Sequence, residues 1–264
     1  MVVAGVDVGS LYTKALILDS AQNVLSYEII RSGFIYQEAA SSCLDSALKK
    51  SGFNSHDIAY AVSTGYGRAR VSSANEHISE ISCHARAAKW LFPEVHMVVD
   101  IGGQDSKVIY VGDHGQVLNF VMNDKCAAGT GRFLEVMAEA LSVDLNRMGD
   151  FSAQSRNVVE VSSQCTVFAE SEVISLLTAG SNREDIIAAI HRSIIRRVMA
   201  MVGQLGKKER VTMTGGVTKN SGVLRELEKS LDTTLLISEE PQVAGALGAA
   251  LIALSKAPNR NHLN

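Results

Sequence analysis

No apolar run in this sequence approaches the roughly 18 residues that a membrane-spanning helix needs. The apolar start at Val2 meets Asp7 almost at once and has no basic stretch ahead of it, so a secretion signal is not expected and the protein reads as cytoplasmic. Positive charge is not in excess either. The 25 lysines and arginines stand against 28 aspartates and glutamates, a net charge of -3, and they are scattered, which argues against a nucleic-acid-binding surface. Cysteines number only four in 264 residues, without close pairing, so a disulfide framework is not expected and the thiols should be reduced or metal-bound. A Walker A sequence is missing, and Gly129-Thr-Gly131 lacks the third glycine of a dinucleotide fingerprint. A P-loop or Rossmann protein is therefore not expected.

What is present is an ordinary globular composition, 46% hydrophobic and 20% charged, with a pattern that occurs twice. Val2 to Val8 and Ala15 to Leu18 read as strands around the polar turn Gly9-Ser10-Leu11-Tyr12-Thr13-Lys14, and Val24 to Ile30 as a third strand. Gln37 to Ser51 has helical spacing and stops at Gly52; Ile58 to Ser63 reads as a buried strand, and Glu80 to Leu91 as a helix. At Val95 the pattern restarts: a strand to Ile101, the turn from Gly102 to Lys107, then strands at Val108 to Val111 and Val117 to Val121. Val6-Asp7-Val8-Gly9 aligns with Val99-Asp100-Ile101-Gly102, Thr13 with Ser106 and Lys14 with Lys107, at a constant offset of 93 positions. The repeat implies an α/β fold of two lobes with similar cores and a cleft where the two turns face. Residues 1–96 with 244–264 are expected to form the first lobe, and 97–243 the second.

A strand that ends in Asp and runs into a small, hydroxyl-rich turn suits a nucleotide. Glycine lets backbone amides approach phosphate oxygens, Ser10 and Thr13 add donors, and Asp7 and Asp100 can hold the Mg²⁺ that neutralises the phosphates. A third loop, Met213-Thr-Gly215-Gly216-Val217-Thr-Lys-Asn220, follows the strand Arg210 to Met213 and precedes a helical stretch from Val223 to Leu231. Its paired glycines can admit a flat adenine and ribose.

Cys126 precedes the helical stretch Ala127 to Leu141, and Cys165 follows an expected strand, Val158 to Ser162, and precedes the helical Phe168 to Leu177. Both would face helix N-termini, whose partial positive charge offsets that of a thiolate-ligated cluster. Two ligands per chain half-coordinate a cubane of four thiolates, and a two-fold dimer completes the set. Cys43 and Cys83 lie among apolar helical positions and read as core. Arg192, Arg196 and Arg197 lie on a long helix whose apolar stripe is Ile186, Ile190, Ile194, Val198 and Val202, and read as its solvated face.

Asp7-Val-Gly-Ser with Lys14, Asp100-Ile-Gly-Gly-Gln-Asp105 and Thr214-Gly-Gly resemble the phosphate-1, phosphate-2 and adenosine motifs of the actin, Hsp70 and sugar-kinase superfamily. Met122-Asn-Asp-Lys-Cys-Ala-Ala-Gly-Thr-Gly-Arg-Phe133 and Cys165-Thr-Val-Phe-Ala-Glu-Ser-Glu172 resemble the activators of 2-hydroxyacyl-CoA dehydratases, relatives of the benzoyl-CoA reductase ATPase subunits. Only Leu11-Tyr12 departs from the smaller residues commoner in the first turn. The resemblance implies a homodimer with ATP and Mg²⁺ in each chain and one shared [4Fe-4S] cluster on Cys126 and Cys165. That dimer would take one electron from ferredoxin or flavodoxin and pass it to the dehydratase. It also implies that Gly102, Gly103 and Asp105 serve the phosphates, that Gln104 orients the attacking water, and that a turn near Gln242 and Gly245 closes the adenine end. The missing His-x-x-x-His pair argues against the iron-binding, tRNA-modifying members of the superfamily. A benzoyl-CoA reductase subunit and a sugar kinase of the same fold are the alternatives.

Overall fold

Seven consecutive buried residues, Val2–Val8, form β1, and alternation sends their side chains to two different cores. The computed structural model describes residues 1–162 and 165–258, so the end of the expected 244–264 segment lies outside the described residues. Val2, Ala4, Val6 and Val8 pack with Ala15 and Ile17 of β2 (Tyr12–Asp19) on one face; Val3 packs with Leu16 and Leu18 on the other. β3 (Val24–Arg31) pairs antiparallel with β2. α1 (Tyr36–Ser51) covers the first face through Ala40, Cys43, Leu44 and Ala47, and ends at Gly52 in the left-handed conformation, φ 75°. β4 (Ile58–Thr64) runs parallel to β1, and β5 (Glu76–His77) parallel to β4, giving the order β3-β2-β1-β4-β5. α2 (Glu80–Leu91) opens at Ser79, whose hydroxyl accepts from the Ser82 amide at 3.2 Å.

The second sheet repeats the plan with β6 (Met97–Ile101), β7 (Ser106–Val111), β8 (Val117–Asn123) and, after four helices, β9 (Val211–Thr214) parallel to β6, in the order β8-β7-β6-β9. Between β8 and β9 come α3 (Gly131–Ala140), α4 (Met148–Ala153), α5 (Thr166–Thr178) and α6 (Arg183–Leu205); α7 (Ser221–Leu231) follows β9. The expected stripe of α6, Ile186 to Val202, is buried in one core with Phe133 and Met137 of α3 and Leu227 and Leu231 of α7. The chain closes with α8 (Ala244–Lys256), which packs Ala246, Leu247 and Ala250 with Cys83 and Ala87 of α2. Two compact units result: Met1–Glu94, Val111–Val117 and Ser238–Asn264, and Val95–Tyr110 with Leu118–Ile237. Among the described residues no helix is long and apolar enough to cross a membrane.

Three local expectations need correction. Residues 158–162 are not a strand: the carbonyls of Val159 and Val161 are bound by arginine side chains rather than by a neighbouring strand. The helix after Cys126 begins at Gly131, because the left-handed backbone at Gly129 (φ 88°) breaks the helical run. The segment holding Gly245 is the first turn of α8 and not a free turn; a helix buried on nearly every side shows no polar face from which to read its period.

Candidate functional site

The two hairpin turns are built alike. In the first, Gly9 N donates to Tyr12 O at 3.1 Å; in the second, Gly102 N donates to Asp105 O at 2.9 Å. Asp7 stands opposite Lys14 in the β1–β2 register and Asp100 opposite Lys107 in β6–β7, so each strand-end carboxylate meets a lysine. Lys14 Nζ lies 2.9 Å from Asp7 Oδ2. Lys107 Nζ lies 3.1 Å from Asp100 Oδ2 and 2.9 Å from Asp105 Oδ1. Both aspartates are buried, at 6% and 2% exposure.

The pseudo-repeat reaches further than the hairpins. Thr64 pairs with Asp7 across β1–β4 as Thr214 pairs with Asp100 across β6–β9, and each threonine is followed by a glycine with left-handed backbone, Gly65 at φ 86° and Gly215 at φ 87°. A side chain on Gly65 would strike Asp7 Oδ1, and one on Gly215 would strike Ile101 O, so both strand ends close tightly around the carboxylate. The Thr64-Gly65 element escaped the sequence reading, although Ser63-Thr-Gly and Met213-Thr-Gly carry the same signal. Ser32 was missed as well: its hydroxyl donates to Gly9 O at 2.7 Å and lies 3.0 Å from Thr13 Oγ1. The Thr13 hydroxyl is thus buried and turned inward onto Ser32, whereas Ser10 is half-buried. Leu11 O accepts from Ser32 N, and Arg31 lies over the Tyr12 ring at 5.5 Å.

Gln104 is exposed at the tip of the second turn and Gly103 is half-buried beside it. In the third loop, Gly216 is exposed and Val217 buried. Asn220 caps α7: its Oδ1 accepts from the amides of Gly222 and Val223, and its Nδ2 lies 3.2 Å from Nε2 of His191. That side chain is occupied in holding the loop to α6 and α7. Burial first, then the charges of Arg225 and Arg192, push the pKa of His191 down to about 3. Gly245 lies against the site from below, where an added Cβ would stand 2.9 Å from Asp7 Oδ2. Gln242 is half-buried one turn earlier, its amide bound to Glu240 at 3.3 Å.

The four cysteines divide into two kinds. Cys43 and Cys83 are buried, and burial pushes both thiols up to about 12. Cys126 and Cys165 are exposed. Cys165 is the N-cap of α5, as expected of a thiol at a helix start. Cys126 sits in a loop whose carbonyl is bound by Asn123 Nδ2 at 3.0 Å, and a turn, Ala127 to Thr130, separates it from α3. The first amides of α3 point at the second hairpin turn: Gly131 N donates to Gly102 O at 2.9 Å and Arg132 N to Gly103 O at 2.8 Å.

The arginines of α6, expected to form a solvated face, also hold both thiol segments: Arg196 is exposed, and Arg192 and Arg197 are half-buried. Arg192 donates to Val159 O at 2.9 Å and Arg196 to Val161 O at 2.8 Å. Arg197 lies over Phe133 at 5.9 Å and packs against Gly129. Burial lowers its pKa while the charge of Cys126 opposes the shift. Ser162 is tied to Glu172 of α5 through its amide, 3.0 Å, and its hydroxyl, 2.8 Å. Beside Cys165, Val167 and Phe168 stand exposed at 66% and 68%.

Residues 4–253 match the model of the BadF/BadG/BcrA/BcrD ATPase family. The 2-hydroxyisocaproyl-CoA dehydratase activator of Clostridioides difficile is 46% identical over 257 residues, 97% of this chain and 96% of that protein. The solved activator of the 2-hydroxyisocaproyl-CoA dehydratase from Clostridium difficile, with bound ADPNP, superposes with a TM-score of 0.91 at 45% identity over 97% of this chain and 96% of that one. A ROK family glucokinase from Streptomyces griseus, 14% identical with a TM-score of 0.58 over 97% of this chain and all of that one, shares the fold alone. The fold is that of the actin-like ATPases and sugar kinases.

Proposed function

The chain belongs to the BadF/BadG/BcrA/BcrD ATPase family, and from that premise we propose that it is an ATP-dependent activator that delivers single electrons to a 2-hydroxyacyl-CoA dehydratase. The observation that carries this reading is the division of the cysteines. A sugar kinase needs no exposed thiols, whereas here Cys126 and Cys165 face solvent and three arginines of one helix brace the segments that bear or adjoin them.

In this reading the Gly9–Lys14 and Gly102–Lys107 turns receive the phosphates through their backbone amides and lysines, and the Gly215–Gly216 loop receives the nucleoside. Asp7 and Asp100 suit Mg²⁺, which takes one or two carboxylates and completes its octahedron with phosphate oxygens and water. Lys107, already neutralised by two carboxylates, fixes Asp100; Lys14 is the more exposed of the two lysines, 14% against 1%, and is the one able to turn to an anion. Gln104, exposed at the tip of the second turn, is the residue we assign to orient water.

Cys126 and Cys165 of two chains supply four thiolates for a [4Fe-4S] cluster. When bound, the cluster supplies a one-electron carrier. Cys165 adds the amides of its helix start to balance the negative charge, and Arg197 adds a guanidinium near Cys126. The exposed Val167 and Phe168 give a second copy an apolar surface beside Cys165. Ferredoxin or flavodoxin is the donor and the dehydratase the acceptor. Anaerobic reconstitution of the purified chain should yield a brown dimer with about four irons per two chains, and Cys126→Ser should remove the iron while leaving ADP binding. A colourless monomer that hydrolyses ATP would overturn the electron-carrier role.

A further inference from the structure

Thr64 is fully buried and its hydroxyl has no oxygen or nitrogen partner. Its counterpart Thr214 donates to Asp100 Oδ1 at 2.8 Å. The two threonines hold the same register position, one strand over from the aspartate and on the same face of a parallel pair, where side chains of paired residues are neighbours. The Cys83 thiol lies beside Thr64 as a weak partner. A buried hydroxyl without a partner is destabilising, and such groups in folded proteins call for an explanation.

The surroundings supply one. Asp7 is confined by glycine on two sides, Gly65 against Oδ1 and Gly245 against Oδ2, with His84 near Gly245. Lys14 holds Oδ2. If Lys14 swings to a phosphate, Asp7 loses that cation in a buried place, where an unpaired carboxylate is costly. The second unit has no such problem, because Lys107 is wedged between Asp100 and Asp105 and Thr214 is already engaged. The first unit has the same threonine and leaves its hydroxyl without an oxygen or nitrogen partner.

We propose that Thr64 is the reserve positioning residue of Asp7, its hydroxyl turning onto the Asp7 carboxylate when Lys14 leaves for an anion. The first unit then has two hydrogen-bonding arrangements at Asp7, and the second unit has one. Thr64 touches neither phosphate nor cation; it keeps the Asp7 carboxylate oriented toward the metal. This rests on the reading of the Gly9–Lys14 turn as a phosphate site.

The test compares Thr64→Val and Thr64→Ser with the unaltered chain. In nucleotide-free protein with EDTA, Thr64→Val should melt no lower than the parent, since a methyl replaces a hydroxyl that has only the weak Cys83 thiol beside it; a clear fall in Tm would overturn the proposal by showing the hydroxyl already firmly engaged. With ADP, Thr64→Val should show a smaller ligand-induced rise in Tm. In ATP turnover it should need about tenfold more Mg²⁺ for half-maximal rate, the loss of one hydrogen bond to a charged group. Thr64→Ser should restore both. Wild-type Mg²⁺ dependence and ADP response in Thr64→Val would overturn the role of Thr64. Asp7→Asn separates the two claims: if it too hydrolyses ATP normally, the phosphate-site reading itself fails.

Discussion

Lys107 Nζ stands 3.1 Å from Asp100 Oδ2 with 1% of the lysine side chain exposed, and a second carboxylate, Asp105, reaches the same nitrogen at 2.9 Å. Breaking a buried pair by removing one partner leaves an uncompensated charge, which is worth about 3–5 kcal/mol. Lys107→Met should therefore lower unfolding stability by about 3 kcal/mol in urea titration. Lys14→Met, at a pair with more access to water, should cost clearly less and act chiefly on nucleotide binding.

Gly65 and Gly215 close their strand ends in backbone conformations that L-residues avoid, and a Cβ at either would collide with fixed atoms. Gly215→Ala should destabilise by about 2 kcal/mol or more, from backbone strain plus displacement of Ile101. Gly65→Ala should do the same and displace the Asp7 carboxylate. Thermal unfolding measures the loss, and ADP titration of the folded fraction measures the damage to the turn.

His191 gives the fold a definite acid response. Its folded pKa, about 3, lies below the ordinary value of 6.5, so between those limits the unfolded chain binds a proton that the folded chain does not. Its contribution to stability is therefore intact above pH about 6.5 and is lost as pH falls, at up to about 1.4 kcal/mol per unit. Denaturation at pH 7 and pH 5 should show this decline, and His191→Gln should flatten it. An equal slope in the variant would show that other groups carry the response.

Asp7→Ala and Asp100→Ala should each abolish ATP turnover without removing iron from reconstituted protein, because neither carboxylate lies near a thiol in sequence or is a cluster ligand in the proposed scheme. A coupled ADP-release assay and an iron count on the same sample decide the matter.

Arg192→Ala and Arg196→Ala remove the donors that hold Val159 and Val161. Amide exchange should quicken across 157–162 in either variant, with ATP turnover kept and iron retention reduced. Unaltered exchange would show that Glu172, which binds Ser162, and Asp185, whose Oδ1 accepts from the amides of Arg156 and Asn157, suffice to hold the segment.

The strands and most helices were legible because their apolar residues recur at the right period. Val2–Val8, α2 and the stripe of α6 are examples. The duplicated hairpins were legible from Asp7, Asp100, Lys14 and Lys107, since a repeat at a fixed offset preserves the register that brings each lysine to its carboxylate. What the sequence hid were relationships between distant segments. The arginines of α6 looked solvent-facing because nothing local marks a side chain that will bind the carbonyls of Val159 and Val161. α8 has almost no polar positions to set its phase, and the inward turn of Thr13 depends on Ser32, nineteen residues away. The loop after Cys126 was misread as helix because alanine is a strong helix former, and the left-handed Gly129 overrode that preference.

The first peptide groups of α3 are fastened to the carbonyls of Gly102 and Gly103, and Cys126 lies five residues before Gly131. A peptide plane in that hairpin cannot rotate to present its amide to an anion without pulling on, or letting go of, the helix start. The thiol loop is thus on a short leash to the turn proposed to take phosphate.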